Sequence, residues 1–165
     1  MDQFSNAFSR INDKFNRVPA FLRRWARSKA FGGYVKFAGT AGIDFEEVSR
    51  ERVVCHIYNV GKNQNHIKGV HAAAMALLAE TATGFAVGMN LPDDKLPLLK
   101  SMKVEYKKRA QGNLKAVAAL TAEQITQVRT LEKGDVTVPV TVTDESGNEP
   151  IQCEMIWAWI PKKRN

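Results

Sequence analysis

Long apolar runs are scarce in this sequence, and so are cysteines. The most apolar stretch, Val70–Met89, is interrupted by His71 and Glu80, and no window of 18 apolar residues is free of charge, so we predict no membrane-spanning helix. The N-terminus also lacks the apolar segment of a secretory signal. Cys55 and Cys153 lie far apart in strand-like runs, and we expect reduced thiols in a cytoplasmic protein.

A basic stripe across the body of the protein is also missing. The net charge is +7, but residues 1–30 carry seven basic and two acidic groups, and Lys162, Lys163 and Arg164 add three more positive charges. Residues 31–161 are nearly neutral, which argues against nucleic acid as a partner. At 165 residues we predict one domain, residues 31–161, with a basic helical arm at 1–30 and a basic tail at 162–165.

Signatures of bound metal or nucleotide are absent as well. No P-loop or dinucleotide fingerprint occurs, and His66, His71 and Glu80 do not have the spacing of a known metal site. We therefore predict no metal and no separate cofactor.

The N-terminal arm has the pattern of an amphipathic helix followed by a second, shorter one. Apolar residues recur at three- and four-residue steps, at Phe4, Phe8, Ile11, Phe15 and Val18. Pro19 would end the first helix and open a second through Ser28, and Gly32-Gly33 would end the arm. Two interpretations remain open: packing on its own sheet or a partner subunit, and docking on an anionic membrane surface or a partner protein.

The remaining segments predict strands around one long helix. Before the long helix we expect short strands at Tyr34–Phe37 and Ile43–Phe45 and a strand at Arg52–Val60. The helix runs from about His71 to Met89, and a loop follows at Asn90–Pro97. After the loop we expect a strand containing Met102, Val104 and Tyr106 paired in a hairpin with Leu114–Leu120, a short helix at Ala122–Lys133, and a second hairpin of Val136–Val142 with Ile151–Ile160. Because the long helix is apolar nearly all round, it must be buried. The economical fold is α+β, with one antiparallel sheet wrapped around the helix.

Glu80 is the unusual residue of that helix. A carboxylate among Ala, Leu, Met and Gly is costly to bury unless it is used or paired, and its neighbours one turn away supply no cation. His71 precedes Glu80 by nine residues, which at 100° per residue is half a turn out of phase. If the two act together, we expect His71 of one subunit to meet Glu80 of another.

The chain resembles the hotdog-fold thioesterases at several positions in the same order. The matching residues are Asn65, His71, the run Leu78-Ala79-Glu80 and the segment from Lys107 to Gly112. The closest types are the phenylacetyl-CoA and 4-hydroxybenzoyl-CoA thioesterases, or an uncharacterised branch beside them. The resemblance covers roughly residues 31–161. It implies a hotdog fold, a sheet wrapped on a central helix, in a homodimer or dimer of dimers with active sites between subunits.

The resemblance also implies site residues. The backbone N–H of Ala72, after His71, would polarise the thioester carbonyl, Glu80 would act as general base or nucleophile, and Asn65 would hold water or the carbonyl. The substrate-binding residues would include Thr83, one turn beyond Glu80, and His66. Ala72-Ala73 replace the two glycines of the relatives. A non-catalytic acyl-ligand or lipid-binding protein is therefore an alternative, as is an interaction module that uses the basic arm.

A cluster of three cations follows the strand that contains Tyr106. Lys107, Lys108 and Arg109 have two interpretations, a solvated sheet edge and contact with the phosphates of coenzyme A. The function we predict is hydrolysis of an acyl-CoA or acyl-carrier thioester, with coenzyme A entering only as part of the substrate.

Overall fold

The computed structural model describes residues 4–163, and within this range it contains five α-helices and seven β-strands. The helices are α1 Ala7–Lys14, α2 Ala20–Tyr34, α3 Lys36–Ala41, α4 Ala72–Gly88 and α5 Ala122–Thr130. The strands are β1 Asp44–Val48, β2 Arg52–Ile57, β3 Lys95–Tyr106, β4 Leu114–Ala119, β5 Gly134–Val138, β6 Val140–Asp144 and β7 Ile151–Pro161. The end of the predicted basic tail, Arg164 and Asn165, lies outside the described residues.

The long helix α4 packs against strands of two antiparallel sheets. One sheet has the order β1-β2-β4-β6 and the other has the order β3-β7-β5. Leu78, Ala82 and Val87 of α4 are fully buried, as the apolar composition of this helix predicts. The α+β hotdog fold is thus confirmed, with one refinement: the wrapped layer is divided into two sheets. Pro139 marks the division, because the chain leaves the three-stranded sheet after Val138 and enters the four-stranded sheet at Val140.

The two predicted hairpins are wrong, although the turns that suggested them exist. Gly112 and Gly147 both have positive φ, so the chain does turn at each. However, β3 pairs with β7, and β4 pairs with β2 and β6. Of the predicted Val136–Val142 strand, only the β5 part pairs with β7. Both turns carry the chain from one sheet to the other, which a local turn signal cannot distinguish from a hairpin.

The loop predicted at Asn90–Pro97 is also shorter than expected, because β3 begins at Lys95. Pro97 lies within β3, opposite Trp159 of β7. Proline is tolerated there because β3 is an edge strand, which leaves one side of its backbone without a partner among the strands of residues 4–163.

The N-terminal arm packs on the body of the protein through an aromatic cluster. Phe31 of α2 is buried and contacts Phe8, Phe45 and Phe85, with ring centroids 5.0–5.4 Å apart. Asn6 caps α1 and donates its side-chain amide to two carbonyl oxygens, that of Gly88 at the end of α4 and that of Leu91 three residues later. The inner face of the arm is therefore part of the core.

The prediction for the segment after Ser28 is wrong, because α2 continues through Gly32-Gly33 to Tyr34 and α3 begins at Lys36, with Val35 as the junction between them. The two glycines do not end the helix. Gly32 instead allows α2 to approach α3 closely, since a Cβ on Gly32 would lie 3.0 Å from the Cα of Gly39. Gly42, with φ +75°, is the left-handed residue that ends α3.

This close approach gives a stability prediction. We expect Gly39→Ala to destabilise the protein by about 2–3 kcal/mol, because the new methyl group would clash with the Gly32 carbonyl, which is backbone and cannot rotate away. The matched control is Gly33→Ala, whose methyl group would enter open space and which should stabilise the helix by about 0.5–1 kcal/mol. Urea unfolding of the two variants tests this. Equal stabilities would contradict the role of Gly39 in helix packing.

Among residues 4–163, no helix is both long enough and apolar enough to cross a membrane.

Candidate functional site

The start of α4 is fixed by hydrogen bonds from both directions. His71 is the N-cap of α4, and its Nδ1 accepts the N–H of Ala73 at 3.1 Å. In this arrangement the ring carries its proton on Nε2. The backbone N–H of His71 donates to the carbonyl of Asn63 at 2.7 Å, and the buried side chain of Asn63 donates to the carbonyls of Ala41 and Tyr58. The helix N-terminus is thereby held rigidly against the loop before it.

The first amide of this helix is the one available to a ligand. Ala74 donates its N–H to the carbonyl of His71, and Ala73 donates to the His71 ring. For the N–H of Ala72, the described part of the chain supplies no acceptor. A helix N-terminus favours negative charge, so this N–H is suited to hold an oxyanion.

Tyr106, which the sequence analysis assigned only to a strand face, contacts this helix start. Its hydroxyl donates to the carbonyl of Ala72 at 2.9 Å. The end of β3 therefore lies beside the first turn of α4. No local sequence signal distinguishes Tyr106 as a site residue, because the contact joins positions 34 residues apart.

Asn65 orders the loop that precedes His71. Its Oδ1 accepts the backbone N–H groups of Ile67 at 3.0 Å and of Gly69 at 3.1 Å, which leaves the Nδ2 amide as the donor that can meet a ligand. Arg109 donates to the carbonyl of Ile67 at 3.0 Å. The structure thus brings Asn65, the exposed His66 and Arg109 to the same loop.

The other two predicted cations contact different parts of the chain. Lys107 forms an ion pair with Glu105, and Lys108 donates to the side chain of Asn148 at 3.3 Å. Both side chains are exposed. Of the three cations, Arg109 is the one whose contact is with the loop of Asn65.

Glu80 is half-buried without a compensating charge. Within residues 4–163 no Lys, Arg or His forms an ion pair with it, and its only hydrogen-bond donor among these residues is the hydroxyl of Thr81, at 3.4 Å. Loss of solvent on burial raises the pKa of Glu80 above the ordinary value of a glutamate. A carboxylate whose pKa is raised in this way is a stronger base than an exposed one.

The structure places Thr83 away from the Glu80 carboxylate. Thr83 is fully buried, and its hydroxyl donates to the helix carbonyls of Ala79 and Glu80 at 2.9 and 3.0 Å. The same oxygen accepts the indole N–H of Trp157 at 2.9 Å. Thr83 therefore joins α4 to β7, and its hydroxyl bonds to helix carbonyls and not to the carboxylate of Glu80.

A cavity of about 250 Å³ opens beside the start of α4. His71, Ala73 and Leu77 line one side of it, and Phe37 and Ala41 of α3 line another. The sequence pattern does not indicate Phe37 as a site residue, because it predicts a strand at Tyr34–Phe37.

Glu80 follows on the same helix face, one turn beyond Leu77, but among the described residues it does not line this cavity. The regular helix from Ala72 places Glu80 about 13 Å along the axis from His71, since each residue rises about 1.5 Å. Within one chain, the two groups do not face the same point.

No group of three or more His, Cys, Asp or Glu side chains within residues 4–163 is arranged to hold a metal ion. His56, a strand residue, pairs with Glu46 of β1.

The raised pKa of Glu80 predicts a pH-dependent cost to stability. The native state binds the proton more tightly than the unfolded chain, where the pKa is about 4.5, so the stability of the protein falls as the pH rises from this value through the native pKa. Glutamine has no charge to desolvate. We therefore expect Glu80→Gln to raise Tm relative to wild type at neutral pH and the difference to vanish at acid pH. Glu149→Gln, at an exposed loop position, is the control, and a pH-independent difference for Glu80→Gln would contradict the assignment.

A family model described as "Domain of unknown function (DUF4442)" matches residues 23–160. The chain belongs to this family. The match covers α2 and α3 as well as the sheets, which agrees with the packing of the arm on the core. No protein with a curated description matches the chain significantly.

Solved structures with the same fold include several thioesterases. A protein of unknown function and probable thioesterase from Pseudomonas aeruginosa is 24% identical, with a TM-score of 0.74 over 88% of this chain and 97% of that one. A thioesterase from Haemophilus influenzae is 12% identical, with a TM-score of 0.61 over 76% of this chain and 82% of that one. A thioesterase from Staphylococcus aureus, solved as an alanine variant of a glutamine, is 18% identical, with a TM-score of 0.63 over 76% of this chain and 99% of that one.

In another structure of the Staphylococcus aureus protein, alanine replaces a glutamate that lies fifteen residues after that glutamine.

Proposed function

We propose that this protein is a hydrolase of acyl-CoA or acyl-carrier thioesters. The observation that carries the proposal is Glu80, a half-buried carboxylate without a counter-charge on the face of α4 that the chain leaves partly open. Such a group costs stability, and the cost is accounted for if Glu80 takes a proton from water or attacks the thioester itself. The thioesterases that share the fold support the reaction class.

In the proposed mechanism the helix start stabilises the developing negative charge. The N–H of Ala72 would donate to the thioester oxygen, and the rigid capping by His71 would hold that N–H in place. The Nδ2 amide of Asn65 would orient the attacking water. Asn65 and Glu80 are fifteen residues apart, the same separation as the substituted glutamine and glutamate of the Staphylococcus aureus thioesterase.

We propose further that the site is completed by a second copy of the chain along the edge of β3. Met102 and Tyr106 lie opposite Met155 and Ile151 of β7, so their side chains share the inner face of the sheet with these two buried residues. Yet Met102 is 48% and Tyr106 50% exposed. A partner strand would cover them and would bring the partner's helix near the Ala72 end of α4, which reconciles the offset between His71 and Glu80.

Coenzyme A would enter as part of the substrate, with Arg109 the best placed of the predicted cations to meet its phosphates, since it already contacts the loop of Asn65. The cavity between Leu77 and Phe37 would receive part of the acyl chain. Its volume of about 250 Å³ favours short or aromatic acyl groups over long ones.

A panel of acyl-CoAs tests the function. We expect thiol release from short-chain and aromatic thioesters to exceed that from long-chain ones, with Leu77→Phe narrowing the range further because it fills the cavity. Release no faster than in buffer for every member, together with acyl-CoA retained on the purified protein by mass spectrometry, would contradict hydrolysis and would favour a non-catalytic acyl-ligand-binding protein. Replacement of exposed Lys133 by alanine serves as the control substitution.

A further inference from the structure

The outward side of α2 presents large apolar side chains to solvent. Phe21 is 83% and Trp25 62% exposed, and Leu22 is also exposed. At helical spacing these three residues and Lys29 lie on one side of α2, which we call the α2 outer face. The opposite side, with Arg27 and Phe31, is buried in the core. The fold of the chain therefore accounts for the inner face of α2 and leaves the outer face uncovered.

The charged residues in the sequence around this face are all basic. Residues 14–43 contain seven Lys or Arg and no Asp or Glu. Only part of this charge is used internally: Arg24 pairs with Asp44, and Arg27 donates to the carbonyl of Glu46. Within residues 4–163, Lys14, Arg17 and Lys29 have no carboxylate partner, and neither does Arg23, which donates to carbonyl oxygens in the turn before α2.

We propose that the α2 outer face docks on an anionic lipid surface. Phe, Leu and Trp on one side of a helix, flanked by basic residues and without acidic ones, have the composition of interfacial helices that lie in the headgroup region. The aromatic rings would enter the boundary between headgroups and acyl chains, and Lys29 and Arg17 would meet lipid phosphates. The charge complementarity favours an anionic lipid surface, because a zwitterionic one has no net negative charge to offset these cations. The proposal is independent of the reaction at Glu80.

The chain contains its own reporter for this contact. Of the three tryptophans, Trp157 and Trp159 are buried, so Trp25 is the one whose fluorescence can respond to the surface. On addition of phosphatidylglycerol-containing vesicles to the full-length protein, we expect the emission of Trp25 to shift to shorter wavelength and the protein to sediment with the vesicles. Vesicles of phosphatidylcholine alone should do neither. Raised salt should weaken binding, since it screens the attraction between exposed charges.

Substitutions separate this contact from a general effect of the arm. We expect Phe21→Glu to weaken binding to the anionic vesicles at least tenfold while Trp25 still reports, and Lys29→Glu to weaken it as well. Leu131→Glu, which replaces another exposed apolar residue at the C-cap of α5, should bind as wild type does. Circular dichroism checks that each variant is folded.

Three results would overturn the proposal. Equal binding to neutral and anionic vesicles would remove the role of the cations, and unchanged binding of Phe21→Glu would remove that of the apolar face. A Trp25 emission that shifts with protein concentration in the absence of vesicles, and does not respond to them, would show that a second copy of the chain covers the α2 outer face.

Discussion

Glu80→Gln is expected to lower kcat for thioester hydrolysis by roughly 10²–10⁴-fold, the usual contribution of a general base. The amide has nearly the same size as the carboxylate and can still accept from Thr81, so the fold and the KM should change little. What is lost is the ability to take a proton from water or to attack the carbonyl carbon. Steady-state kinetics on the best substrate of the acyl-CoA panel measures the effect.

The pH dependence of kcat/KM is a second measurement, and it would not depend on Glu80 if this residue had only a structural role. In the wild type, kcat/KM should fall on the acid side as Glu80 becomes protonated, at a pH above the ordinary glutamate value because burial raises its pKa. This acid limb should be missing from the residual activity of Glu80→Gln. Glu149→Gln should keep both the rate and the profile. Full activity of Glu80→Gln would contradict the proposed role.

The two chemical roles left open for Glu80 can be separated by isotope labelling. In a single turnover in oxygen-18 water, direct attack by Glu80 would form a mixed anhydride, and its hydrolysis at the enzyme carbonyl would leave the label in the Glu80 side chain. General-base catalysis would place the label in the released acid only. Mass spectrometry of the peptide that contains Glu80 distinguishes these outcomes.

The parts of the fold that could be predicted from the sequence are those with a local physical cause. The start of α4 after His71 is confirmed, because a polar loop followed by an alanine-rich apolar run has few other solutions. The start of α5 is confirmed as well, since Thr121 and Gln124 form the reciprocal capping bonds that their spacing predicts. The end of α5 is less well predicted: the expected helix extends to Lys133, but α5 ends at Thr130, and Gly134 begins β5.

The errors share a different cause, which is that strand pairing is not local. Gly112-Asn113 has the composition of a hairpin turn, but β3 pairs with β7, and the paired residues lie 45 to 66 positions apart in the chain. Tyr34–Phe37 has strand-like composition, but its residues end α2 and begin α3, two helices that pack closely at Gly32 and Gly39. Such a contact becomes visible only when both segments are placed in space.

The candidate site also contains some features with a local cause and others that depend on contacts between distant parts of the chain. The isolation of Glu80 could be predicted from its neighbours one turn away on the helix, and the structure adds the burial that raises its pKa. The engagement of Thr83 with Trp157 could not be predicted, because it joins residues 74 positions apart. Neither could the contact of Tyr106 with Ala72, which connects the edge strand β3 to the start of α4.

That connection makes the edge of β3 the place where assembly and activity can be tested together. We expect Met102→Lys to convert a dimer to a monomer and to reduce hydrolysis in parallel. Each copy would lose the burial of about half a methionine side chain, about 1 kcal/mol, and would place a charge near its symmetry mate, at up to about 1 kcal/mol. Because a two-fold interface contains the lost burial twice and the single lysine–lysine repulsion once, the dissociation constant should rise roughly a hundredfold.

Sedimentation and activity, measured over the same range of protein concentration, test this expectation. The lysine is tolerated within one chain, since Met102 is 48% exposed there, so the far-ultraviolet spectrum should not change. Thr141→Lys, an exposed position on β6 at the edge of the other sheet, should leave both assembly and activity unchanged. A Met102→Lys monomer with full activity would contradict a site shared between subunits.

Mixing inactive subunits then decides how the site is shared. If His71 of one copy acts with Glu80 of the other, a mixture of His71→Ala and Glu80→Gln proteins contains heterodimers with one intact site, and activity should reappear on mixing. The same mixture with Met102→Lys added to both chains should stay inactive, because the heterodimer does not form. If both groups act from the same chain, no heterodimer has an intact site and mixing restores nothing.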